Sequence, residues 1–464
     1  MMKIAAKTGF AICAVFALSA CGGDQSPAES AAANLASAES DAPDRYVVTE
    51  KSSASLNSLG EAFVKLALGV GEHDPAFVDA YHGPAEWAEA AKTEARSLDL
   101  LEQDAQGLLI SVARANTQDA SIRGAMLEKL TRAALTRIQM VKGRTFSFNE
   151  ETRLLYDVVA PQYDVAQFDA VLDEIDVLLP GEGTLADRVD AFRNSLAVPA
   201  DKLQAVFGAA IAECRKRTLA HYALPDDERF SLEFVTDKPW SGYNWYQGGH
   251  ESLIQVNTDF PIIIDRAVDL GCHEGYPGHH TWNVLLERDV LNGAGWIEYS
   301  VYPLFSPLSV TAEGSANYGI ELAFPEQEKI AFERDVLFPL AGLDPAKAVK
   351  LEALNTLRKR LSHSRNMIAR NYLDGKISRD EAIEMLKVYG LQSRERAEQG
   401  VRFIETYRGY VLNYNLGRDL AAAYVERNAV DGRSRWDVFE TLLTTPLSAS
   451  DIAGNRMARG AAGE

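Results

Sequence analysis

The sequence predicts a mainly helical protein with one small β-sheet. Apolar residues recur at helical spacing through most of the 464 residues, beginning with the stripe formed by Leu59, Phe63, Leu66 and Val70. Strand-like runs occur within residues 230–257, where SLEFV and ESLIQVN are separated by Pro239, Gly242, Gly248 and Gly249. With 47% hydrophobic and 24% charged residues, the composition is that of a globular protein.

Further helices follow in chain order. Two apolar stripes at helical spacing span residues 127–141 and 168–178, and glycine or proline ends each of them. An Asp-Pro pair, which is an N-cap signal followed by proline in the first turn, opens a predicted long helix over residues 344–368. Ser378 and Glu381 have the spacing of a capping box ahead of another helix. Most of the chain is therefore expected to be helical.

The N-terminus resembles a bacterial lipoprotein signal. Two lysines precede an apolar run over residues 10–18, and the run ends in Leu18-Ser19-Ala20-Cys21. This resemblance implies cleavage before Cys21 and acyl chains on its sulfur; the alternative is an ordinary secretory peptide with a chance cysteine. Gly22 stands where an inner-membrane lipoprotein would carry Asp, which favours the outer membrane, facing the periplasm. The expected organisation is a signal (1–20), a flexible acylated tether (21–45) and a helical domain (46–464).

The charge excludes nucleic acid as a partner. The formal net charge is -19, and removal of residues 1–20, which carry two lysines and no acid, makes it -21. Such a chain repels polyanions, and we interpret its acidity as a solvated surface. After Cys21 the chain keeps only Cys214 and Cys272. One disulfide in an oxidising compartment and two buried thiols are both open at this point.

The most informative segment is HEGYPGHH at residues 273–280, which holds three of the eight histidines. Neutral imidazoles and a carboxylate are the ligands that a catalytic zinc ion prefers, with one position left open for water. Helical zinc hydrolases usually space the two histidines four residues apart, so that they share a helical face. The clustering therefore predicts a metal site for hydrolysis; the alternative is a polar helix junction with surface histidines.

The spacing requires an interruption of the helix. His273 and His279, six residues apart, would point to roughly opposite sides of an unbroken helix. His273 and His280 would share a face but lie about 10 Å apart along the axis. Pro277-Gly278 can break or bulge the helix and return His279 to the position of a ligand. His280 would then point elsewhere, to the residues behind the metal ligands or to the substrate.

Two glutamates complete the predicted site. Glu274 faces a different direction from His273 and is better suited as general base than as a ligand. Glu313, in the segment EGSANY, is the best candidate for the third ligand; an ordinary helical carboxylate is the alternative. Gly314 and Ala316 are small enough to let this helix approach the metal helix closely. Asn317, one turn later, is expected to hold a ligand's second hydrogen bond.

These motifs resemble a known family. HEGYPGHH, EGSANY and the late GYVLNYNLGRDL are similar to the bacterial domain of unknown function 885 family, whose signature is HExxPGHH with a later EGWAxY. The resemblance covers roughly residues 50–460. The family is grouped with the gluzincin metallopeptidases, so it implies a two-lobed helical fold like those of neurolysin and thermostable carboxypeptidase, with the small sheet next to the metal helix. Ser315 stands where the family usually has Trp, which weakens inferences about substrate preference.

The resemblance also implies residue roles. It makes His273, His279 and Glu313 zinc ligands and Glu274 the base. Tyr414, or with less support Tyr410, would donate to the oxyanion; an aromatic helix face in the core is the alternative.

Three further residues are candidates for substrate binding. Arg418 could pair with a substrate carboxylate, although a surface ion pair explains it equally well. Gly248 and Gly249 lie where an edge strand could align a peptide, and a plain hairpin turn is the alternative.

The expected function is that of a zinc-dependent peptidase acting on short peptides, of carboxypeptidase or oligopeptidase type. One alternative is a metal-dependent hydrolase of a non-peptide amide or ester. Another is an inactive lipoprotein that binds metal or peptide, although such a protein would not need Glu274. One Zn²⁺ ion, or another divalent metal, is the expected cofactor. The expected partners are a short peptide substrate and, through the acyl chains on Cys21, a membrane; the sequence is silent on the oligomeric state.

Overall fold

Helices make up most of the chain, as the sequence predicts. The computed structural model describes residues 55–118, 121–238 and 240–454, all of which belong to one unit. Its secondary structure is 68% helix and 8% strand. The predicted lipoprotein signal and tether, with Cys21, lie outside the described residues. No helix within the described ranges is long and apolar enough to cross a membrane.

The described residues form twenty α-helices. In chain order they are α1 Leu56–Gly71, α2 Ala85–Glu94, α3 Leu98–Gln118, α4 Ile122–Val141, α5 Phe148–Tyr156, α6 Val165–Leu178, α7 Leu185–Asn194, α8 Leu203–Leu219, α9 Arg266–Leu270, α10 His279–Leu285, α11 Pro307–Ala323, α12 Glu326–Phe332, α13 Phe338–Ala341, α14 Ala348–Leu361, α15 Ser364–Leu373, α16 Arg379–Tyr389, α17 Arg394–Tyr407, α18 Leu412–Asn428, α19 Arg435–Thr444 and α20 Ala449–Ile452. π-helical turns extend three of them over Gly271–Gly275, Leu286–Gly293 and Glu333–Leu337.

Start signals in the sequence act as expected, with one difference. Ser378 and Glu381 form the predicted capping box of α16, and Asp344 accepts a hydrogen bond from the first turn that follows it. The single long helix predicted over residues 344–368 is instead two helices, α14 and α15. The Ser362 carbonyl accepts a hydrogen bond from the Asn415 side chain, 2.9 Å away, which replaces a bond within the helix and separates the two.

The predicted small sheet is present and has three strands. Strands β2 Arg229–Val235, β3 Gly242–Gly248 and β4 Glu251–Asn257 lie in the order β2-β4-β3, with β2 and β4 parallel and β3 and β4 antiparallel. The ESLIQVN segment is therefore the central strand, and β3 is an edge strand. A second, two-stranded sheet of β1 Val78–Tyr81 and β5 Val301–Pro303 was not predicted.

The closest helix crossing is that of α11 with α18. A side chain added to Gly314 would fall on the carbonyl oxygen of Gly417, and a Cβ on Gly417 would lie 2.6 Å from the Val310 carbonyl oxygen. The two backbones therefore touch at this pair of glycines. This corrects one expectation, because Gly314 brings α11 close to α18 and not to the metal helix. The glycine of α11 that faces the metal helix is Gly319, since its Cβ would lie 2.9 Å from the Pro277 ring.

The glycine crossing makes a direct prediction for stability. Gly417→Ala should lower the free energy of unfolding by about 1–3 kcal/mol, because backbone atoms cannot move aside without separating the helices. Gly107→Ala is the matched control: it lies inside α3 with no atom within 4 Å of the added Cβ, and should raise stability by about 0.5–1 kcal/mol. Urea unfolding measures both. If both substitutions raise the stability equally, the backbones of α11 and α18 are not in contact at Gly417.

Candidate metal centre

The metal helix, which is the helical segment from Arg266 to Leu285 that carries HEGYPGHH, is interrupted where the sequence predicts. The π-helical turn Gly271–Gly275 ends, a short loop with a cis Tyr276-Pro277 bond follows, and α10 begins at His279. A Cβ on Gly278 would overlap the carbonyl oxygens of the preceding turn, so the tight return of the chain requires glycine here. As a result the rings of His273 and His279 lie 4.7 Å apart between centroids. The predicted local repair of the histidine spacing is confirmed.

Glu313 faces both of these imidazoles. Its Oε2 atom lies 3.3 Å from Nε2 of His273 and 3.8 Å from Nε2 of His279. Tetrahedral zinc with bonds of about 2.0–2.2 Å holds neighbouring ligand atoms roughly 3.3–3.6 Å apart. Oε2 is buried and has no hydrogen-bond partner among the described residues. A buried carboxylate oxygen left unpaired is costly, and a cation between the three side chains would satisfy it. The residues therefore fit a zinc ion.

Glu274 is also close to the two histidines. One ligand atom each from His273, Glu274 and His279 lie within 4.8 Å of one another, so distance alone allows Glu274 as third ligand. Glu313 fits better, because its Oε2 faces both imidazoles without another partner. Burial raises the pKa of Glu274 to about 7, and the Glu313 charge adds to this rise although His273 opposes it. A carboxylate with such a pKa is suited to take up and return a proton near neutral pH.

His279 and Glu313 have the charge states that metal binding needs, whereas for His273 burial is outweighed by the carboxylates of Glu274 and Glu313, which raise its pKa. Burial, with His273 nearby, lowers the pKa of His279 to about 4, so its imidazole is neutral at neutral pH. The pKa of Glu313 is lowered despite burial, because the nearby imidazoles of His273 and His279 and the Tyr410 hydroxyl outweigh desolvation. Neutral imidazoles and an ionised carboxylate are the forms that bind zinc.

A disulfide holds the metal helix from behind. Cys272, directly before His273, is bonded to Cys214 of α8, with Cα atoms 5.5 Å apart and both side chains buried. The sequence left a disulfide and two free thiols open, and the structure has the disulfide. The π-helical turn also packs against α11. The turn that carries His273 and Glu274 is therefore held by two helices, α8 and α11.

Tyr410 holds the second oxygen of Glu313. Its hydroxyl donates to Oε1 at 2.8 Å, and the side chain is only 5% exposed. This corrects the expectation that Tyr410 binds substrate, since its role is to orient the carboxylate. Tyr414 has its ring 5.8 Å from that of Tyr410. Burial and the nearby carboxylates Glu313 and Glu274 raise the pKa of Tyr414, so its hydroxyl stays protonated and can donate a hydrogen bond.

His280 has a structural role. It is 0% exposed, its Nδ1 lies 2.7 Å from the Ser252 hydroxyl and its Nε2 lies 3.0 Å from Glu228. Because both ring nitrogens are occupied and no surface is exposed, His280 neither binds the metal nor reaches a substrate. The expectation that it lies outside the set of ligands agrees with this geometry, but its assignment to substrate binding is wrong. It ties α10 to the three-stranded sheet.

Asn317 also differs from expectation. Its amide donates to the main-chain oxygens of Glu313, at 2.9 Å, and Tyr414, at 3.3 Å. It therefore joins α11 to α18 beside the site and does not hold a ligand side chain. The hydrogen bond expected from Asn317 comes from Tyr410 instead.

Three residues proposed to bind substrate have the alternative contacts named in the sequence analysis, an ion pair for Arg418 and a turn for Gly248 and Gly249. Arg418 forms a two-pronged ion pair with Glu321 and also contacts Asp419, so its guanidinium is occupied. Gly248 and Gly249 have φ of 76° and 61° and form the turn between β3 and β4. The Gly249 amide donates to Glu287 at 3.1 Å. The guanidinium of Arg418 and the amide of Gly249 therefore have partners within the protein, and the substrate-binding role of Gly248 stays a prediction.

Two residues near the site were missed by the sequence analysis. Asp79 of β1 accepts a hydrogen bond from Tyr243 of β3, and burial together with the Glu313 charge raises its pKa although Tyr243 opposes the rise. Asn244 of β3 donates to the main-chain oxygen of Glu274 at 2.6 Å. Neither residue stands in a motif, and only the unpredicted strand β1 and the path of β3 bring them to the metal centre.

Comparison with known proteins adds a fold relationship. No protein-family model matches the chain, and no curated protein does. A crystal structure of a presumed lipoprotein from Colwellia psychrerythraea is similar, with a TM-score of 0.51 and 14% identity over 79% of this chain. The chain covers 66% of the length of that protein. At this identity the likeness concerns the fold alone.

The contact between Tyr410 and Glu313 predicts an effect on metal affinity. Tyr410→Phe should weaken zinc binding about 10-fold or more, because one ligand loses the bond that orients it. Tyr156→Phe is the matched control, since this neighbouring buried tyrosine has a hydroxyl with no partner among the described residues. Competition with a fluorescent zinc chelator measures both affinities. If the two variants bind zinc equally well, Tyr410 does not hold the ligand.

The hydrogen bonds of Glu228 predict a loss of stability in acid. Burial would raise its pKa, but His280, Tyr276 and Arg215 outweigh burial and lower the pKa to about 2. Because the folded pKa lies below the unfolded value, this stability is complete above about pH 4.5 and is lost as the pH falls towards 2. The total is about 3 kcal/mol, with about half lost by pH 3.5.

Urea unfolding between pH 5.5 and 3.5 tests this dependence. Glu228→Gln should show a flatter decline than the wild type, whereas the exposed substitution Glu61→Gln should keep the wild-type slope. A wild-type slope in Glu228→Gln would show that the carboxylate is not held by these bonds.

Proposed function

We propose that the protein is a zinc-dependent peptidase that hydrolyses short peptides, of carboxypeptidase or oligopeptidase type. The observation that carries this proposal is the unpaired Oε2 of Glu313, which faces His273 and His279 beside the buried carboxylate of Glu274. A site made only to store metal would not need a second carboxylate with a raised pKa next to its ligands. The resemblance of HEGYPGHH and EGSANY to the gluzincin-like family supports the same conclusion.

Each residue of the centre has a chemical role. His273, His279 and Glu313 would hold the ion, which when bound supplies Lewis acidity and lowers the pKa of water. Glu274 accepts the proton of the attacking water and delivers it to the leaving amine. Tyr414 donates its hydroxyl to the oxygen of the scissile carbonyl as negative charge develops there.

Strand β3 supports a peptide as the substrate. It pairs with β4 along one edge only, within the described residues. A Cβ on Gly242 would lie 3.3 Å from Oε1 of Glu274, so the strand runs directly past the proposed base. A peptide can add to such an edge by main-chain hydrogen bonds, which an isolated amide or ester cannot do to the same extent. We infer that the substrate lies along β3 as an extended chain.

The hydrophobic core suggests where the substrate enters. Residues close in sequence to the proposed site residues belong to three different apolar clusters: Tyr410 to the first, Cys272 and Tyr276 to the second, and Leu412 and Leu416 to the third. We propose that the meeting of these clusters forms the cleft of a two-lobed peptidase. Active sites commonly lie where separate cores adjoin, because the cleft between them admits a ligand.

We further propose attachment to the cell envelope through Cys21, at the outer membrane and facing the periplasm. The disulfide between Cys214 and Cys272 supports an oxidising compartment. The similar structure from Colwellia psychrerythraea is described as that of a presumed lipoprotein. The segment that carries the anchor signal lies outside the described residues.

Metal analysis and a peptide digest of the purified domain test the function. The wild type should hold one zinc ion and cleave a mixed peptide library, and Glu274→Gln should keep the zinc and lose cleavage at least about 1000-fold. His279→Ala should lose zinc, because a ligand is removed. Its neighbour His280→Ala should retain zinc in the folded fraction and melt at a lower temperature, because Ser252 and Glu228 lose a partner.

The outcomes separate the alternatives. Bound zinc without cleavage of any peptide would favour a non-peptide amide or ester as the substrate. Cleavage that is unchanged in Glu274→Gln would remove that residue from the mechanism. Zinc lost from His280→Ala and kept by His279→Ala would show that the ligands are wrongly chosen.

A further inference from the structure

Arg365 is a partly buried cation without a counter-ion. Its side chain takes part in no ion pair or hydrogen bond with the residues that the structure describes. Burial lowers the pKa of this guanidinium, and the Tyr414 hydroxyl is the one group that opposes the change. Part of its surface nevertheless remains exposed. An arginine in such surroundings usually has a carboxylate beside it, because an unpaired buried charge is costly.

The fold places this arginine on a helical turn that packs against α18. The break between α14 and α15 puts Arg365 in the first turn of α15. Asn415 of α18 bonds both sides of the break, through its amide to the Ser362 carbonyl at 2.9 Å and through its side-chain oxygen to Asn366 at 2.8 Å. Arg365 and Tyr414 are the chain neighbours of Asn366 and Asn415. The first turn of α15 is thus held against α18, the helix that carries Tyr414.

Tyr414 connects the arginine to the site. The carboxylates of Glu313 and Glu274 raise the pKa of Tyr414, whereas Arg365 lowers it. The hydroxyl of Tyr414 is therefore close enough to interact electrostatically with both the carboxylates of the metal centre and the guanidinium of Arg365. Arg418 of α18 differs from Arg365 in this respect, because it already pairs with Glu321.

We propose that Arg365 binds the C-terminal carboxylate of the substrate and makes the enzyme a carboxypeptidase. The proposal rests on the peptidase function argued above. It narrows that function from carboxypeptidase or oligopeptidase to carboxypeptidase. A guanidinium presents paired N–H donors that match a carboxylate, and this pairing discriminates strongly against a neutral carboxamide. A substrate held at Arg365 passes Tyr414 before it reaches Glu274 and the proposed ligands. The cleaved bond would then lie close to the carboxyl end.

Matched peptides test the proposal. The probes are acetyl-Ala-Ala-Phe and its C-terminal carboxamide, which differ only in charge at the end of the chain. For the wild type, kcat/KM should favour the acid by about 100-fold. In Arg365→Gln this ratio should fall close to one, mainly through KM, and Arg365→Lys should restore part of it. The control Arg418→Gln should keep the wild-type ratio.

Two further measurements separate substrate binding by Arg365 from effects of the substitution on catalytic turnover and on folding. In the Glu274→Gln background, calorimetric titration should show tighter binding of the acid than of the amide, and Arg365→Gln should abolish the difference. Arg365→Gln should melt at or above the wild-type temperature, because it removes an unpaired charge; a large fall would mean that the arginine is a structural residue and would overturn the proposal.

The failures of the two proposals are distinguishable. Equal cleavage of acid and amide by the wild type would overturn the role of Arg365 and leave the peptidase function intact. Preferential binding of the acid that depends on Arg365, without cleavage of either peptide, would support the carboxylate site and count against the peptidase function. Acid preference that persists in Arg365→Gln would place the carboxylate elsewhere.

Discussion

The carboxylate of Glu313 is the interaction on which the centre depends. One oxygen accepts a hydrogen bond from Tyr410 of the segment before α18, and the other faces His273 and His279 of the interrupted metal helix. Three parts of the chain more than thirty residues apart are thus joined at one group. The position of that group is set by α11, whose contact with α18 is so close that only glycine fits at residues 314 and 417. The chemistry of the site therefore depends on a steric property of two helices.

Glycine and proline also determine the geometry of the metal helix, where they bring two histidines together. Six residues separate the two histidines, and a continuous helix would direct them apart. The turn at Pro277-Gly278 reverses this, and Gly278 is needed because the returning chain passes directly over its own carbonyl oxygens. The disulfide from Cys272 to α8 then fixes the turn to the body of the protein. The site is rigid because each of its short segments is held by contacts distant in sequence.

The sequence predicts local features well and long-range pairings poorly. Helical stripes, caps, the sheet and the break at Pro277-Gly278 follow from neighbouring residues. The pairings of His280 with Ser252, of Tyr410 with Glu313 and of Arg418 with Glu321 do not, because these partners lie at least 28 residues away and are chosen by tertiary packing. Arg365 illustrates the same limit: one helix was predicted across residues 344–368, and only the bond from Asn415 to Ser362 shows that a break places the arginine at the site.

Charge is distributed unevenly around Tyr414, and this has a consequence for substrate direction. Besides burial, the charges of Glu313 and Glu274 raise the pKa of Tyr414, and Glu313 also raises the pKa of Asp79, whereas Arg365 lowers the pKa of Tyr414. A peptide has a positive amino end and a negative carboxyl end, so the two orientations along such a cleft differ in energy. The orientation with the carboxyl end at Arg365 keeps the substrate carboxylate away from the three acids. Electrostatics alone thus selects one direction, and strand β3 can then fix the register by main-chain hydrogen bonds.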